Sequence, residues 1–401
     1  MVLARTPPMP SEQVALADAL GRVLAEPVAG TEPIPGFDNS AMDGYAVKAA
    51  DTRGASPDAP ATLRVVDESR AGRPAEPELA GGEAISISTG AMVPAGADAV
   101  VRVEDIRGAD GKVEVLAEAA GGANIRRAGE DVLAGDRLLE PGAVLGPVEL
   151  GVLASVGRAS ILCTRRPRVT VLSTGDELVG PGEALFPGAV RNSNAYSVPP
   201  LALRAGAEVE RVAGVRDDRR ATRDAIAAAL GSDVVVICGG VSVGEHDHVR
   251  PALAGLGVEE VFWGVSLRPG KPTWFGVAER GGEDRPALVF GLPGNPVSAM
   301  VTFLLFARPA LRQMLGAADA RERAAAVLAE PYPKKPGRAH AIRVRLELRD
   351  DGWHARPTGE QGSHVLTSML GADALAYLPG EHGDFEAGER VEIELLPGRA
   401  A

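Results

Sequence analysis

Cysteine is scarce in this chain: Cys163 and Cys238 are the only two among 401 residues. They form no CxxC pair and fall in strand-like runs, so a secreted disulfide framework is excluded and two buried thiols are expected. Aromatic residues are few, 4% against 45% apolar overall, so the core must be built mainly from Ala, Val and Leu. A basic excess is missing as well, since 42 Lys and Arg face 54 Asp and Glu for a net charge of −12. That argues against a nucleic-acid partner, which needs a basic face. Any anion must then be held by local cations, and Arg126, Arg127, Arg268 and Lys271 are the candidates. No apolar run reaches the roughly 18 residues of a membrane span. The opening MVLARTPPMPSEQ carries no apolar signal core, so a cytoplasmic location without a membrane partner is expected.

Glycine (49) and proline (31) are plentiful, which points to many turns and short strands. The length calls for two to four domains. Residues 11–25 read as an amphipathic helix capped by Ser11, with Val14, Leu16, Leu20, Val23 and Leu24 on one face. From about 60 to 120 short β runs follow one another (ATLRVV, EAISIST, DAVVRVE, KVEVLAE), a small β domain. Residues 144–157 read as a helix that packs with the first one, closing a discontinuous N-terminal domain around the β insert. From 168 to about 315 strands and helices alternate and the strands are apolar, the pattern of an α/β domain with a largely parallel sheet. Within it, Pro199 and Pro200 should start or bend the helix after Tyr196. Residues 320–401 return to β-like runs. The fold class expected is therefore multidomain α/β plus β. Its boundaries are 1–28 with 128–166 for the N-terminal domain, 29–127 for the insert, 167–316 for the α/β domain and 317–401 for the C-terminal domain.

In open α/β sheets ligands bind beyond the carboxyl ends of the strands. Three turns fall there: STGDEL (173–178), GGVSVGEHD (239–247) and GLPGNPVS (291–298). The glycines of the second, with Ser242 and Gly244, offer backbone N–H groups to a phosphate. In the third, Asn295 can cap the following helix and Pro296 suits its first position, leaving the helix N-terminus to face an anion. GVSLRPGKPT (264–273) fails as a P-loop: five residues separate its glycines and Pro272 stands where Ser or Thr belongs. Arg268 and Lys271 remain available to neutralise phosphate. Carboxylates recur near the same turns, at Asp43, Asp176, Glu177, Asp217, Asp218 and Asp247, and Mg²⁺ favours a few carboxylates beside substrate phosphates. His246 and His248 are spaced wrongly for one helical face and lack a third clustered ligand, so a dedicated zinc site is not expected. No GxGxxG fingerprint supports a dehydrogenase.

Taken together, PGFDNSAMDGYAV (35–47), STGAMVPAGADAVV (88–101), NIRRAGEDV (124–132), STGDEL, GGVSVGEHD, LRPGKPT and GLPGNPVSAMVTF resemble, in order and wording, the molybdopterin molybdenumtransferase family, which includes the C-terminal part of gephyrin. The resemblance spans essentially the whole chain. It implies four domains: the discontinuous one, the β insert, an α/β domain of the molybdopterin-binding type and a C-terminal β barrel. It also implies a homodimer with its active site between the α/β domain of one subunit and the N-terminal domains of the other. Carried over by motif, Asp43, Thr89, Glu177, Asp217 and Asp247 are the implied catalytic positions, the four carboxylates also being implied ligands of Mg²⁺. Arg126, Arg127, Ser242, Gly244, Arg268, Lys271, Pro293, Asn295 and Pro296 are the implied substrate-binding residues. Two features depart from the family: Gly264 follows Phe262–Trp263 where a basic residue is common, and Pro199–Pro200 is unusual in its helix.

The implied reaction inserts molybdenum from molybdate into the dithiolene of adenylated molybdopterin with release of AMP, supplied by a molybdopterin adenylyltransferase partner. Two other readings stay open at this point. The α/β domain could itself adenylate the pterin, or the architecture could serve as a scaffold for partner proteins, although the long linker and extra domain of gephyrin are missing.

Overall fold

The computed structural model describes residues 1–108, 111–242, 247–282, 285–317 and 323–396. Its contacts divide into two compact units, Met1–Ala25 with Pro141–Gly146 and Ile161–Ala401, and Glu26–Glu140 with Pro147–Ser160.

The first unit is organised by a six-stranded sheet in the order Glu208–Val215, Arg168–Thr174, Val234–Cys238, Ala287–Leu292, Trp274–Ala278, Glu259–Trp263. The first four strands run parallel, Trp274–Ala278 runs against them, and Glu259–Trp263 pairs antiparallel with Trp274–Ala278. All five residues of Val234–Cys238 and all six of Ala287–Leu292 are buried, as expected of central strands covered on both faces. One face packs under the helix Asn194–Arg204 and the helical run from Pro296 to Met314, around Phe275, Phe290 and Phe303. The other lies against Arg219–Ala229 and Val249–Gly255, around Ile226, Leu253 and Trp274. The long apolar helix expected after Asn295 is therefore present, with a π-helical turn at Phe303–Ala307 in its middle.

The C-terminal part of this unit is a closed barrel. Strands Ala339–Arg349, Gly352–Pro357, Arg323–Leu328, Arg390–Leu395 and Ala374–Leu378 pair in that order, and the last pairs back onto the first. Closure removes the free edges. Ile342, Val344, Ala376 and Ile393 fill the inside.

The second unit is built on a mixed six-stranded sheet in the order Ala99–Arg102, Gly44–Val47, Glu83–Ile87, Ala61–Ser69, Lys112–Val115, Ile106–Arg107. All four β runs expected between 60 and 120 are strands of this sheet. The helix expected at 144–157 occupies Pro147–Ser155.

Two expectations are corrected. Residues 11–25 are not a helix: Ser11–Ala15 is a strand paired with Ser160–Thr164, followed by a 3₁₀ turn at Leu16–Asp18. Gly21 has φ +70, Leu20 is exposed, and Val23 and Leu24 bridge to Val144 and Cys163, so long-range pairing overrides a helical period. Of the two outcomes expected at the prolines, a start there is ruled out, since the helix opens at Asn194 and carries Pro199 and Pro200 inside. Each proline forfeits an N–H donor. Burial of Val198, Pro199 and Ala202 beneath the sheet offsets that loss.

Candidate active site

Because four neighbouring strands are parallel, the ends at Thr174, Cys238 and Leu292 reach the same sheet edge, and their loops border one cavity of about 620 Å³. Thr174, Glu177, Gly239, Gly240, Ser242, Pro293 and Pro296 are among its lining. Ladder bonds continue past the strand ends: Gly239 N–H donates to Leu292 O at 2.9 Å and Gly175 N–H to Val215 O at 3.1 Å. Gly239 is required here, since its φ is +97 and a Cβ would lie 2.9 Å from both the carbonyl oxygen and Oγ1 of Thr174. Thr174 Oγ1 is itself buried without a hydrogen-bond partner among the described residues, an unusual cost unless a ligand or water meets it. Gly244 lies outside the described residues.

The turn at 293–296 is held from two sides. Asn194 Nδ2 donates to Gly294 O at 2.7 Å, which anchors it to the helix after 193. Asn295 Nδ2 donates to Ser363 Oγ at 3.0 Å, and Val297 N–H donates to Ser363 O at 3.2 Å. Pro296 takes the first helical position as expected, but Asn295 does not cap with its side chain. Its amide is turned to Ser363 instead, and one of the helix's opening N–H groups is already taken by the same residue. Arg268 and Lys271 border an adjoining cavity of about 480 Å³ that shares Pro272, Pro293, Asn295 and His364 with the first.

Of the carboxylates in this unit, Glu177 lines the first cavity, folded back over Gly175. Asp217 and Asp247 are not among the described residues lining it. Asp217 is tied to its neighbour loop: Asp217 N–H donates to Asp176 Oδ1 at 3.1 Å and Asp176 N–H to Asp217 Oδ2 at 3.4 Å. Asp218 has a local role, capping Arg219–Ala229 through Ala221 N–H at 2.7 Å, and that bond holds its pKa below the usual carboxylate range. Asp247 Oδ2 is buried with no hydrogen-bond partner among the described residues, an oxygen free to meet a cation or a donor. Among the described residues no three His, Cys, Asp or Glu side chains gather into a metal cage. Mg²⁺ suits such a donor set only when water and substrate phosphates supply most of its ligands.

The second unit brings together two further positions. Asp43 Oδ1 accepts a hydrogen bond from Thr89 N–H at 2.7 Å. The segment before it is zipped to the same turn, with Gly90 N–H donating to Ser40 O at 2.8 Å and Ser40 N–H to Ala91 O at 3.0 Å. Arg127 is engaged: its guanidinium pairs with Asp38 at 2.5 Å, and Asp38 also accepts Ala128 N–H at 2.9 Å. The Ala128 amide first, then Arg127, hold the Asp38 carboxyl below its ordinary pKa. Arg126 is exposed, its backbone paired with Asn39, and has no carboxylate partner among the described residues.

Both cysteines are buried thiols outside any disulfide, and burial pushes the Cys238 thiol up to about 12, which leaves it unreactive at neutral pH. Cys238 and His364 both border the strand-edge cavity, but the Cys238 thiol stays protonated, so no thiolate stands there at neutral pH. What the cavity does offer is glycine backbone, prolines and the Glu177 carboxylate around a space fit for a phosphate-bearing molecule.

Comparison with known families decides the affiliation. Residues 1–157 match the MoeA N-terminal region (domain I and II), 170–313 a probable molybdopterin binding domain and 325–396 the MoeA C-terminal region (domain IV). A molybdopterin molybdenumtransferase from Haemophilus influenzae is 37% identical over 392 residues, covering 96% of this chain and 94% of that one. The chain belongs to the molybdopterin molybdenumtransferase family. A Bacillus subtilis member is 35% identical, covering 96% of this chain and 90% of its own. A solved molybdopterin biosynthesis MoeA protein from Pyrococcus horikoshii is 31% identical, with a TM-score of 0.81 over 98% of this chain and 97% of that one.

Several residues at the family's cavity escape a reading of the sequence. Asn194, Ser363 and His364 were not singled out, and the last two lie in the short turn 359–364 far along the chain from the other loops. Asn192, whose Oδ1 accepts Ala195 N–H at 3.1 Å to start the helix, was legible as a cap. The letters of Gly240–Val241–Ser242–Val243–Gly244 also spell GxSxG. A nucleophile elbow needs a sharp strand-to-helix turn. Here the strand ends at Cys238 and the helix begins only at Val249, and no histidine bonds Ser242 among the described residues.

Proposed function

We propose that this chain transfers molybdenum from molybdate onto the dithiolene sulfurs of adenylated molybdopterin and releases AMP. One observation carries the reading: the strand-edge cavity of this family member is lined by Gly239, Gly240, Pro293 and Pro296, with Arg268 and Lys271 around the adjoining one. Backbone amides that approach closely, backed by cations, are suited to a pyrophosphate.

In this reading the turns after Cys238 and Leu292 bind the adenylate's phosphates, with Ser242 beside them. Arg268 and Lys271, and Arg126 in the N-terminal part, offset the negative charge of pterin phosphate and molybdate. Arg127 acts by holding Asp38 and the loop before Asp43. Glu177 and Asp247, with Asp217 and Asp43 as further carboxylates, are the residues that would hold Mg²⁺. When bound, that cation neutralises phosphate oxygens and lets carboxylates coexist with two anionic substrates. Each oxo group that leaves molybdate takes two protons and departs as water, and a carboxylate of this set that is not a ligand of the cation, Asp43 or Glu177, relays them. Water then cleaves the pyrophosphate bond and AMP leaves.

The same reading takes the active protein to be a cytoplasmic homodimer that receives its substrate from a molybdopterin adenylyltransferase. It keeps the division at 1–28 with 128–166, 29–127, 167–316 and 317–401. Among the described residues no helix is long and apolar enough to cross a membrane. Purified protein given adenylated pterin and molybdate should yield AMP and molybdenum-loaded pterin. Consumption of ATP with bare pterin would favour adenylation, and tight protein binding without any pterin binding would favour a scaffold.

A further inference from the structure

We propose that Arg343, a buried residue of the C-terminal barrel, is a positioning residue for the substrate site: its guanidinium holds the turn 359–364 in place as a wall of that site. The use of the site rests on the transferase reading, while the placement of the turn does not.

Alternation along the strand Ala339–Arg349 decides where Arg343 goes. Ile342 and Val344 fill the barrel, so Arg343 projects from the opposite face, as Ala341 does. Ala341 and Leu375, the residue paired with Arg343, belong to the apolar cluster that includes Val297 and Val301 of the helix after Asn295. Arg343 is therefore a cation in the seam between barrel and α/β domain. It is 0% exposed and pairs with no carboxylate among the described residues. Burial lowers its pKa to about 10, which leaves it charged at pH 7.

Such a charge is costly unless hydrogen bonds satisfy it, and here a turn does so. Nη1 donates to Gln361 O at 3.3 Å, and Nη2 to Glu360 O at 3.3 Å and Gly362 O at 3.1 Å. Nε donates to Ser368 Oγ at 3.0 Å. The Gln361 side chain closes the grip from the other direction, accepting Arg343 N–H at 2.8 Å and donating to Arg343 O at 3.1 Å. Three successive carbonyls converge on one guanidinium, which the planar fork of arginine suits and the compact ammonium of lysine does not.

The effect reaches both cavities. The three carbonyl oxygens are taken up by a buried cation instead of facing a space that must admit an anionic substrate. Ser363, next along the chain, accepts from Asn295 Nδ2 and Val297 N–H and so anchors the turn at 293–296. Gln361, Gly362, Ser363 and His364 line the cavity that Lys271 borders, and His364 lines the strand-edge cavity as well. Arg343 thus fixes one turn, and through Ser363 a second, without lining either cavity itself.

Arg343→Met keeps the length of the side chain and removes every donor, while Arg343→Lys keeps the charge. Hydrogen exchange, which needs no substrate, should speed up in peptides covering 358–366 and 293–298 of Arg343→Met. The barrel strands Arg323–Leu328 and Arg390–Leu395, which do not pair with the strand of Arg343, should stay as protected as in the unaltered chain. With adenylated pterin, KM should rise roughly tenfold or more while kcat changes less, the pattern of lost binding and not of lost chemistry. Arg343→Lys should recover part of the loss. Faster exchange throughout the barrel would mean that Arg343 supports the barrel alone, and overturns the proposal. So does unchanged exchange at 358–366, or a KM in Arg343→Met within about twofold of the unaltered chain's. If Arg343→Met does not fold, Gln361→Ala removes the turn's half of the grip and is read in the same two ways. If the unaltered chain turns over no pterin, the transferase reading fails, and exchange alone decides whether Arg343 places the turn.

Discussion

The carboxylate of Asp43 is bound at 2.7 Å by the backbone N–H of Thr89, 46 residues further along. Strand register makes this contact: Gly44 pairs with Ile87, so the residue before one strand meets the turn after its antiparallel neighbour. Gly44 is needed at the crossing, because a Cβ there would fall 1.9 Å from Val101 O. The Thr89 amide therefore fixes one oxygen of Asp43 and leaves the other for chemistry. Asp43→Asn keeps the acceptor and removes the charge. It should lower formation of molybdenum-loaded pterin by roughly a hundredfold or more, as for loss of an acid–base group, with thermal melting close to that of the unaltered chain. Asp43→Ala should lower both. Near-normal turnover in both variants would remove Asp43 from the reaction.

Asp233 supports the fold rather than the site. It is 1% exposed and accepts from Arg165 at 3.0 Å, Arg280 at 3.2 Å and the Arg168 amide at 2.8 Å. Burial would raise its pKa, but the Arg168 amide and the two arginines outweigh burial and hold it below the usual value. A depressed folded-state pKa means the contribution is full above the unfolded value of about 3.9 and is lost as pH falls through the lower folded value. Asp233→Asn should cost about 3–5 kcal/mol at neutral pH, since it leaves buried guanidinium charge uncompensated. Urea unfolding at pH 7 and pH 3 checks it, with the gap between the two proteins narrowing at the acid end.

Gly239→Ala tests the strand-edge cavity without touching a charged group. The left-handed φ and the close Thr174 oxygens should cost on the order of 1–3 kcal/mol, and the turn should shift away from its place in the lining. Adenylated pterin should bind more weakly while AMP formation per bound substrate changes less. Titration of pterin fluorescence reads the first, and single-turnover kinetics the second.

The α/β alternation from 168 onward was legible because its strands are uniformly apolar and its turns rich in glycine and proline. Val234–Cys238 and Ala287–Leu292 could hardly be read otherwise. Asp43 and Thr89 were singled out separately by their motifs, but their contact depends on register, which no local pattern encodes. Residues 11–25 misled for the opposite reason: a helical spacing of Val and Leu is satisfied in the fold by pairing with 160–164 and by a left-handed Gly21. The same limit explains Asn295, a good N-cap by type, whose amide is claimed by Ser363 of a distant loop.

That link has its own consequence. Ser363→Ala removes one neutral hydrogen bond, worth about 0.5–1.5 kcal/mol, and frees Asn295 Nδ2. Stability should fall by no more than that, while the KM for pterin should rise more than kcat falls, because the turn that frames the cavity loses an anchor. Equal loss in both parameters would mean that Ser363 acts in the chemical step instead.

The most direct test is a single-turnover reaction of the purified chain with adenylated molybdopterin, molybdate and Mg²⁺, following AMP and molybdenum-loaded pterin together. AMP appearing in step with loaded pterin, and neither forming when molybdate is withheld or Glu177 is changed to Gln, is the expected result. AMP release without molybdenum insertion, or insertion at an undiminished rate in Glu177→Gln, would contradict it.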